Sequence, residues 1–245
     1  NDYAERYVRA RIEELPDGTA RATETVELST PPSLAGVDTS IVVELTVDGD
    51  EIALDFDGTA DQVPTFVNSP LASTHSAALY PLIASLGGRE VPVCDGMYRP
   101  FTLETPSGSL VDPSPPAATR ARMTTCGRIM DAVLRALADV DPALVPAASY
   151  NTTTPIGFEK QVADRTDVFM DLPGDGWGAH ADGDGASGTA NILGNCKNIP
   201  IEAIEQDHPW LRVDEYALRR DSGGLGEHRG GLGVRRRYEI VSEPA

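Results

Sequence analysis

The spacing of apolar residues changes period several times along the chain. Tyr3, Tyr7, Val8, Ile12 and Leu15 share one face of a 3.6-residue repeat, and Glu5 and Arg9 stand one turn apart on its polar side. Asp2 and Glu5 have the spacing of a capping box at its start, and Pro16-Asp17-Gly18 ends it. Alternation then takes over: Ile41, Val43, Leu45 and Val47, a turn at Asp48-Gly49-Asp50, then Ile52, Leu54 and Phe56. This pattern predicts a β-hairpin with one wet face. Helical spacing returns over Pro70 to Leu86, with Ser69 as cap, Pro70 at the first position and Gly87-Gly88 as the stop. Pro81 is expected to kink or break that helix. Residues 96–116, dense in glycine and proline, read as short strands and turns. The clearest helical repeat runs from Arg120 to Val140 through Ile129, Met130, Val133, Leu134 and Leu137. Leu211–Leu218 and Val234–Val241 read as two closing strands.

These elements predict an α+β protein of mixed and antiparallel strands and hairpins with two or three packed helices. No repeat and no separating linker is visible, so residues 1–245 are expected to form a single unit. No apolar run approaches the roughly 18–20 residues that a membrane span needs. No basic-then-apolar leader opens the chain, which starts at Asn1 rather than Met, so an upstream part is expected.

Charge narrows the function. Thirty-eight acidic residues against 20 basic ones give a net of −18, and only Lys160 and Lys197 among the basic residues are lysines. Such a surface repels phosphate backbones and argues against nucleic acid. It suits either a cationic partner or, the favoured reading, a high-salt interior in which carboxylates keep the surface hydrated. Cys94, Cys126 and Cys196 are odd in number and lack a C-x-x-C, which fits a reducing cytoplasm. Each is either a nucleophile or a small buried hydrophobe.

Three motifs carry candidate chemistry. Asp55-Phe56-Asp57-Gly58-Thr59 matches the signature of haloacid-dehalogenase-like phosphatases, with Asp55 as nucleophile and Asp57 as proton handler. Its alternating strand, with both carboxylates on the wet face, is unlike the buried parallel strand that chemistry uses. Asp221-Ser222-Gly223-Gly224 resembles a serine-protease nucleophile box, but no histidine has the matching setting, so a glycine turn is the favoured reading. No phosphate loop of the Walker type occurs. His180, Asp182 and Asp184 lie in the glycine- and aspartate-rich stretch 174–188, which is either mobile or shaped for function. They offer a base or weak metal ligands, or simply a solvated loop.

Taken in order along the chain, these pieces resemble the hydantoinase B/oxoprolinase family. The resemblance rests on Asp55 to Val63 with Val67-Asn68-Ser69-Pro70, on Asp95 to Pro100, on Pro106 to Pro113, and on Val145 to Ser149. In the last third it rests on Gly176-Trp177-Gly178-Ala179, Asp182-Gly183-Asp184-Gly185, Asn195 to Pro200, Asp221 to Gly226 and Arg229 to Gly233. Members are usually about twice as long, so the resemblance implies the C-terminal half of a B-type chain. It implies ATP-dependent opening of a small cyclic amide. A hydantoinase A-like partner would bind ATP and phosphorylate the amide oxygen, and the B part would deliver water. No cofactor is expected on this chain itself: ATP belongs to the partner, and a divalent metal to the upstream half of the same B-type chain. The expected state is a cytoplasmic hetero-oligomer, with no nucleic acid and no membrane. A non-catalytic scaffold role in a hydantoinase- or carboxylase-like complex is the other reading. The candidate catalytic residues are His180, Asp182, Asn68, Arg99 and Asn195. His180 suits proton transfer near neutral pH, Arg99 a bidentate clamp on carboxylate or phosphate, and the two asparagines N–H donation. Residues 189–193, where the family pattern leads one to expect a histidine, carry Ala190-Asn191-Ile192 instead.

Overall fold

The computed structural model describes residues 1–28, 36–88, 91–151, 155–190 and 199–241. They form an α+β structure whose backbone falls into two compact units, Asn1–Val145 and Pro146–Ala245. Each is described by itself.

The first unit is built on a four-stranded sheet in the order β1 (Gly18–Thr25), β2 (Ser40–Asp48), β3 (Glu51–Asp55), β4 (Phe101–Glu104). The expected hairpin is β2 and β3, with Leu45 opposite Leu54 and Val47 opposite Ile52. Ile41, Val43, Leu45, Val47, Ile52 and Leu54 are all buried, as period-2 patterning on a one-sided sheet requires. β1 pairs antiparallel with β2, and β4 runs parallel to β3. The sequence does not announce β1, because its inward positions are Ala20 and Ala22, too small to mark an alternation.

The described residues hold four α-helices, α1 (Asp2–Ile12), α2 (Leu71–Leu86), α3 (Arg122–Val140) and the short α4 (Ile201–Asp207). Helix α3 buries Ile129, Met130, Val133 and Leu137, as its repeat foretold. In α1 the buried face is Ala4, Val8 and Ile12, while Tyr3 is exposed. The expected capping box does not form: Asp2 sits inside the first turn, and Asn1 is the cap residue without a side-chain bond. Glu5 instead accepts from Arg9 one turn on, at 3.1 Å. Helix α2 runs unbroken through Pro81. The lost N–H and ring crowding cost about 3 kcal/mol. Burial of the proline ring together with Ala77, Ala78, Leu82, Ile83 and Leu86 offsets this. Ser69 does not cap α2 either. It is fully buried, and its Oγ accepts from the Thr74 hydroxyl at 2.9 Å. Cys126 lies 3.6 Å from the same oxygen, and burial raises its thiol pKa. Cys126 is thus a packed thiol held away from the reactive thiolate form.

The second unit pairs β5 (Ile156–Val162) with β6 (Arg165–Asp171), and β7 (Leu211–Leu218) with β8 (Val234–Ile240), both antiparallel. Its core gathers Phe169, Ile204, Trp210, Leu211 and Val213, flanked by Phe158, Ile201, Tyr216 and Tyr238. Asp167 accepts from Trp210 Nε1 and faces His208, and these two contacts hold its carboxyl below the usual range. Deeper still, Asp171 Oδ2 accepts from Arg236 Nη1 at 2.5 Å and from the Tyr238 hydroxyl. The Arg236 guanidinium also lies 3.9 Å above the Tyr216 ring. Burial, reinforced by the bond to Asp171, pushes the Tyr238 phenol up to about 12. The folded unit therefore holds that proton more tightly than the unfolded chain, whose tyrosines ionise near pH ~10. This contribution is complete below about pH 10 and fades as pH rises through about 12. Ultraviolet titration of the tyrosines should include a late step near pH 12 from Tyr238, absent in Tyr238→Phe. A Tyr238→Phe curve that keeps this step would exclude the assignment.

Among the described residues, no helix is long and apolar enough to cross a membrane.

Candidate functional site

The glycine-rich stretches of the second unit are packed backbone against backbone. Three segments meet, around residues 174–179, 185–189 and 230–233. Gly231 N–H donates to Trp177 O at 2.7 Å, Trp177 N–H to Ala186 O at 2.9 Å, and Gly185 N–H to Arg229 O at 2.7 Å. Gly176, Gly178, Gly185, Gly223 and Gly231 have no room for a side chain, each facing a backbone oxygen. A Cβ on Gly185 would lie 1.9 Å from Trp177 O, and one on Gly231 would lie 1.9 Å from Ala186 O. Gly174, Gly176, Gly178 and Gly185 of the stretch 174–188 are therefore needed for close approach of main chains, where the sequence left mobility and function both open.

This packing leaves a cleft of about 430 Å³, a size suited to a small molecule. Its walls are residues 147–150, the run 175–179, the turn containing Arg219 and Ser222, and the glycine-rich segment 224–234 with His228. Short bonds fix the polar groups. Ser149 Oγ accepts from Gly178 N–H at 2.9 Å. Asp175 Oδ1 accepts from Gly176 N–H at 2.9 Å and is pressed against Gly233, where a Cβ would stand 2.3 Å from it. Trp177 Nε1 donates to Ala190 O at 2.9 Å. Ser222 Oγ donates to Arg219 O and accepts from Gly233 N–H, both at 2.8 Å. The serine of the protease-like box is thus a turn-closing group whose hydroxyl proton is already engaged. Asp221 beside it adopts a left-handed backbone, with φ 59°.

The candidate residues fall in different places. His180 and Asp182 come together in a tight turn closed by His180 N–H to Gly183 O and Gly183 N–H to His180 O, at 3.1 and 3.2 Å. Within it, Asp182 N–H donates to His180 Nδ1 at 3.3 Å, which assigns the proton of the neutral ring to Nε2. Both side chains are exposed, next in sequence to the cleft wall at Ala179. Asp184 accepts from Arg229 N–H at 2.7 Å and lies 3.8 Å from His228 Nδ1.

Asn68 and Arg99 belong to the first unit. Asn68 is fully buried: its Oδ1 accepts from Val63 N–H, and its Nδ2 donates to the carbonyls of Val63, Thr65 and Ala118. Its amide is used in holding the loop before α2. Arg99 is half-exposed and bonded to Glu5, Asp95 and Asp2, the first of which most strongly raises its pKa. Asn195 lies outside the described residues. At the phosphatase-like motif, Asp55 and Asp57 are exposed as expected, and Asp55 Oδ1 accepts from Asp57 N–H at 2.9 Å. Among the described residues no three His, Cys, Asp or Glu side chains are gathered as a metal site. The cleft residues Ser149, Asp175, Arg219 and His228 escaped sequence reasoning. The one available signal was that Arg219 precedes the glycine cluster and His228 lies within it.

Comparisons with known proteins agree along the whole chain. The model of the family described as hydantoinase B/oxoprolinase matches residues 1–245. A protein of Pseudomonas sp. strain NS671, named for the B component of a D-/L-hydantoinase, is 32% identical over 99% of this chain and 42% of its own length. The beta chain of the Pseudomonas jessenii caprolactamase is 31% identical over 97% of this chain and 41% of its own. The crystal structure of the ATP-dependent caprolactamase from Pseudomonas jessenii superposes with a TM-score of 0.83 at 28% identity, over 98% of this chain and 42% of that one. The chain thus spans about two fifths of the length of these relatives. With the family model matching residues 1–245 and the fold of the caprolactamase shared over 98% of the chain, the chain belongs to the hydantoinase B/oxoprolinase family.

Proposed function

We propose that this chain is part of the B component of an ATP-dependent hydrolase of small cyclic amides, working with an A-type partner that binds ATP. The observation that carries the reading is the likeness to the caprolactamase structure, at a TM-score of 0.83 over 98% of the chain. The family match and the relative named for a hydantoinase B component support it.

The chemistry divides reasonably between two proteins. An amide resists water because its carbonyl is weakly electrophilic and its nitrogen leaves poorly. Phosphorylation of the amide oxygen by the partner makes the carbon electrophilic. What remains is to take a proton from water and to stabilise developing charge. The His180–Gly183 turn offers both groups. The His180 ring presents Nε2–H as a donor, because Nδ1 accepts the Asp182 N–H. The exposed Asp182 carboxylate is the adjacent acceptor.

The test is reconstitution of the full-length B-type protein with its A-type partner, ATP and 5-oxoproline, hydantoin or caprolactam. His180→Ala is expected to lower ring opening by about 10²-fold or more, the usual worth of one donor aimed at developing charge. Unchanged turnover in His180→Ala would make this chain a scaffold. Failure of the complex to open any of the three rings would overturn the reading altogether.

A further inference from the structure

We infer that the glycine cleft of the second unit is a binding site for the oxyanion of a small molecule, a carboxylate or phosphoryl group, with Arg219 as its principal ligand. The inference rests on the function proposed above and names the group by which a substrate would be held.

Charge distribution is the first reason. In a chain of net −18, residues 219–237 carry six arginines against two carboxylates. Most arginines elsewhere in the second unit are matched. Arg235 and Arg237 face Glu215, Arg236 is buried on Asp171, and Arg212 faces Glu239. Arg219 differs. It lines the cleft, and among the described residues its guanidinium forms no ion pair or hydrogen bond. Arg99, the sequence-based candidate for an anion clamp, is the opposite case, since Glu5, Asp95 and Asp2 already use its donors.

The cleft itself is the second reason. Ser149 Oγ accepts from Gly178 N–H, so its own hydroxyl proton remains for a ligand in the cleft. His228 adds an imidazole to the wall, with its Nδ1 3.8 Å from Asp184. Asp175, the wall's acidic residue, is turned onto the backbone at Gly176 and Gly233. A planar guanidinium with five donors matches two oxygens of a carboxylate or phosphoryl group, and is less strongly hydrated than an ammonium. The turn that presents Arg219 is held by Ser222 and by Arg219 N–H to Gly233 O at 2.7 Å, so its backbone is placed before any ligand arrives.

Isothermal titration calorimetry of the full-length B-type protein tests this, with inorganic phosphate, 5-oxoproline and, as the uncharged control, caprolactam. The two anions, or one of them, are expected to bind with a Kd of about a millimolar. Binding of 5-oxoproline alone identifies a carboxylate site, and binding of phosphate alone a phosphoryl site. Arg219→Gln should weaken binding at least about tenfold, roughly 1.4 kcal/mol. Arg219→Lys should recover part of it, and Arg212→Gln, on an exposed strand position, should change nothing. A melting temperature of Arg219→Gln equal to the parent's confirms that the site rather than the fold was changed. Equal binding by Arg219→Gln, caprolactam binding as tightly as 5-oxoproline, or no binding of either anion would each overturn the inference. Anion binding in a complex that opens no ring would retain the site and remove the hydrolase reading. Ring opening without Arg219-dependent anion binding would do the reverse.

Discussion

Asp171→Asn is expected to cost the second unit about 3 kcal/mol or more of stability. The substitution keeps the size and an acceptor oxygen but removes the charge that balances Arg236. The two side chains are 5% and 3% exposed, so water cannot replace the lost partner. A buried charge left without its counter-charge is far more costly than the intact pair is stabilising. The Tyr238 hydroxyl loses its charged acceptor in the same step. Chemical denaturation followed by tryptophan fluorescence reads the effect through Trp210, which packs in this core. Replacing both partners, as Asp171→Leu with Arg236→Met, should be less damaging than Asp171→Asn alone, because no stranded charge remains. A loss below about 1 kcal/mol in Asp171→Asn would show that the pair is solvated in the folded protein.

Gly231→Ala is expected to be nearly as severe, for a steric rather than an electrostatic reason. The added methyl would lie 1.9 Å from Ala186 O and 2.5 Å from its carbon, and both are backbone atoms that no rotamer change can move. The segments must separate, weakening the bonds from Gly231 N–H to Trp177 O and from Gly185 N–H to Arg229 O. Forced overpacking of this kind costs about 1–3 kcal/mol or more. Because the same segments wall the cleft, anion binding should fall with stability. Gly224 supplies the control. It also lines the cleft, but nothing lies within 4 Å of a Cβ placed there. Gly224→Ala should therefore stay within about 0.5 kcal/mol of the parent. Equal behaviour of the two variants would mean that the glycine segments are not packed as described.

How far the site was legible from the residues depended on the range of its contacts. His180 and Asp182 meet because they are two residues apart in a turn, a local geometry that spacing can suggest. Asn68 has the residue type of a catalytic amide, yet its four bonds go to backbone groups, one of them at Ala118, fifty positions away. Arg99 looked like an anion clamp until the fold set Asp2 and Glu5 beside it, more than ninety positions back along the chain. Arg219 carried only its place beside a glycine cluster in the sequence; what singles it out is a guanidinium at the cleft with no carboxylate near it among the described residues. That is a property of three-dimensional neighbours.

Periodicity by itself determined the α2 and α3 helices, the β2–β3 hairpin and the two closing strands, because large apolar residues must share one face of whichever element buries them. Motif order by itself pointed to the family. Tertiary structure alone decided the rest. It placed alanine-lined β1 in the sheet, carried α2 through Pro81, withheld the caps expected of Asp2 and Ser69, and turned two glycine-rich loops into the walls of one cleft. In each case the deciding energy comes from atoms distant in the chain: buried apolar area around a proline, an oxygen taken by Thr74, or a main chain packed where no side chain fits.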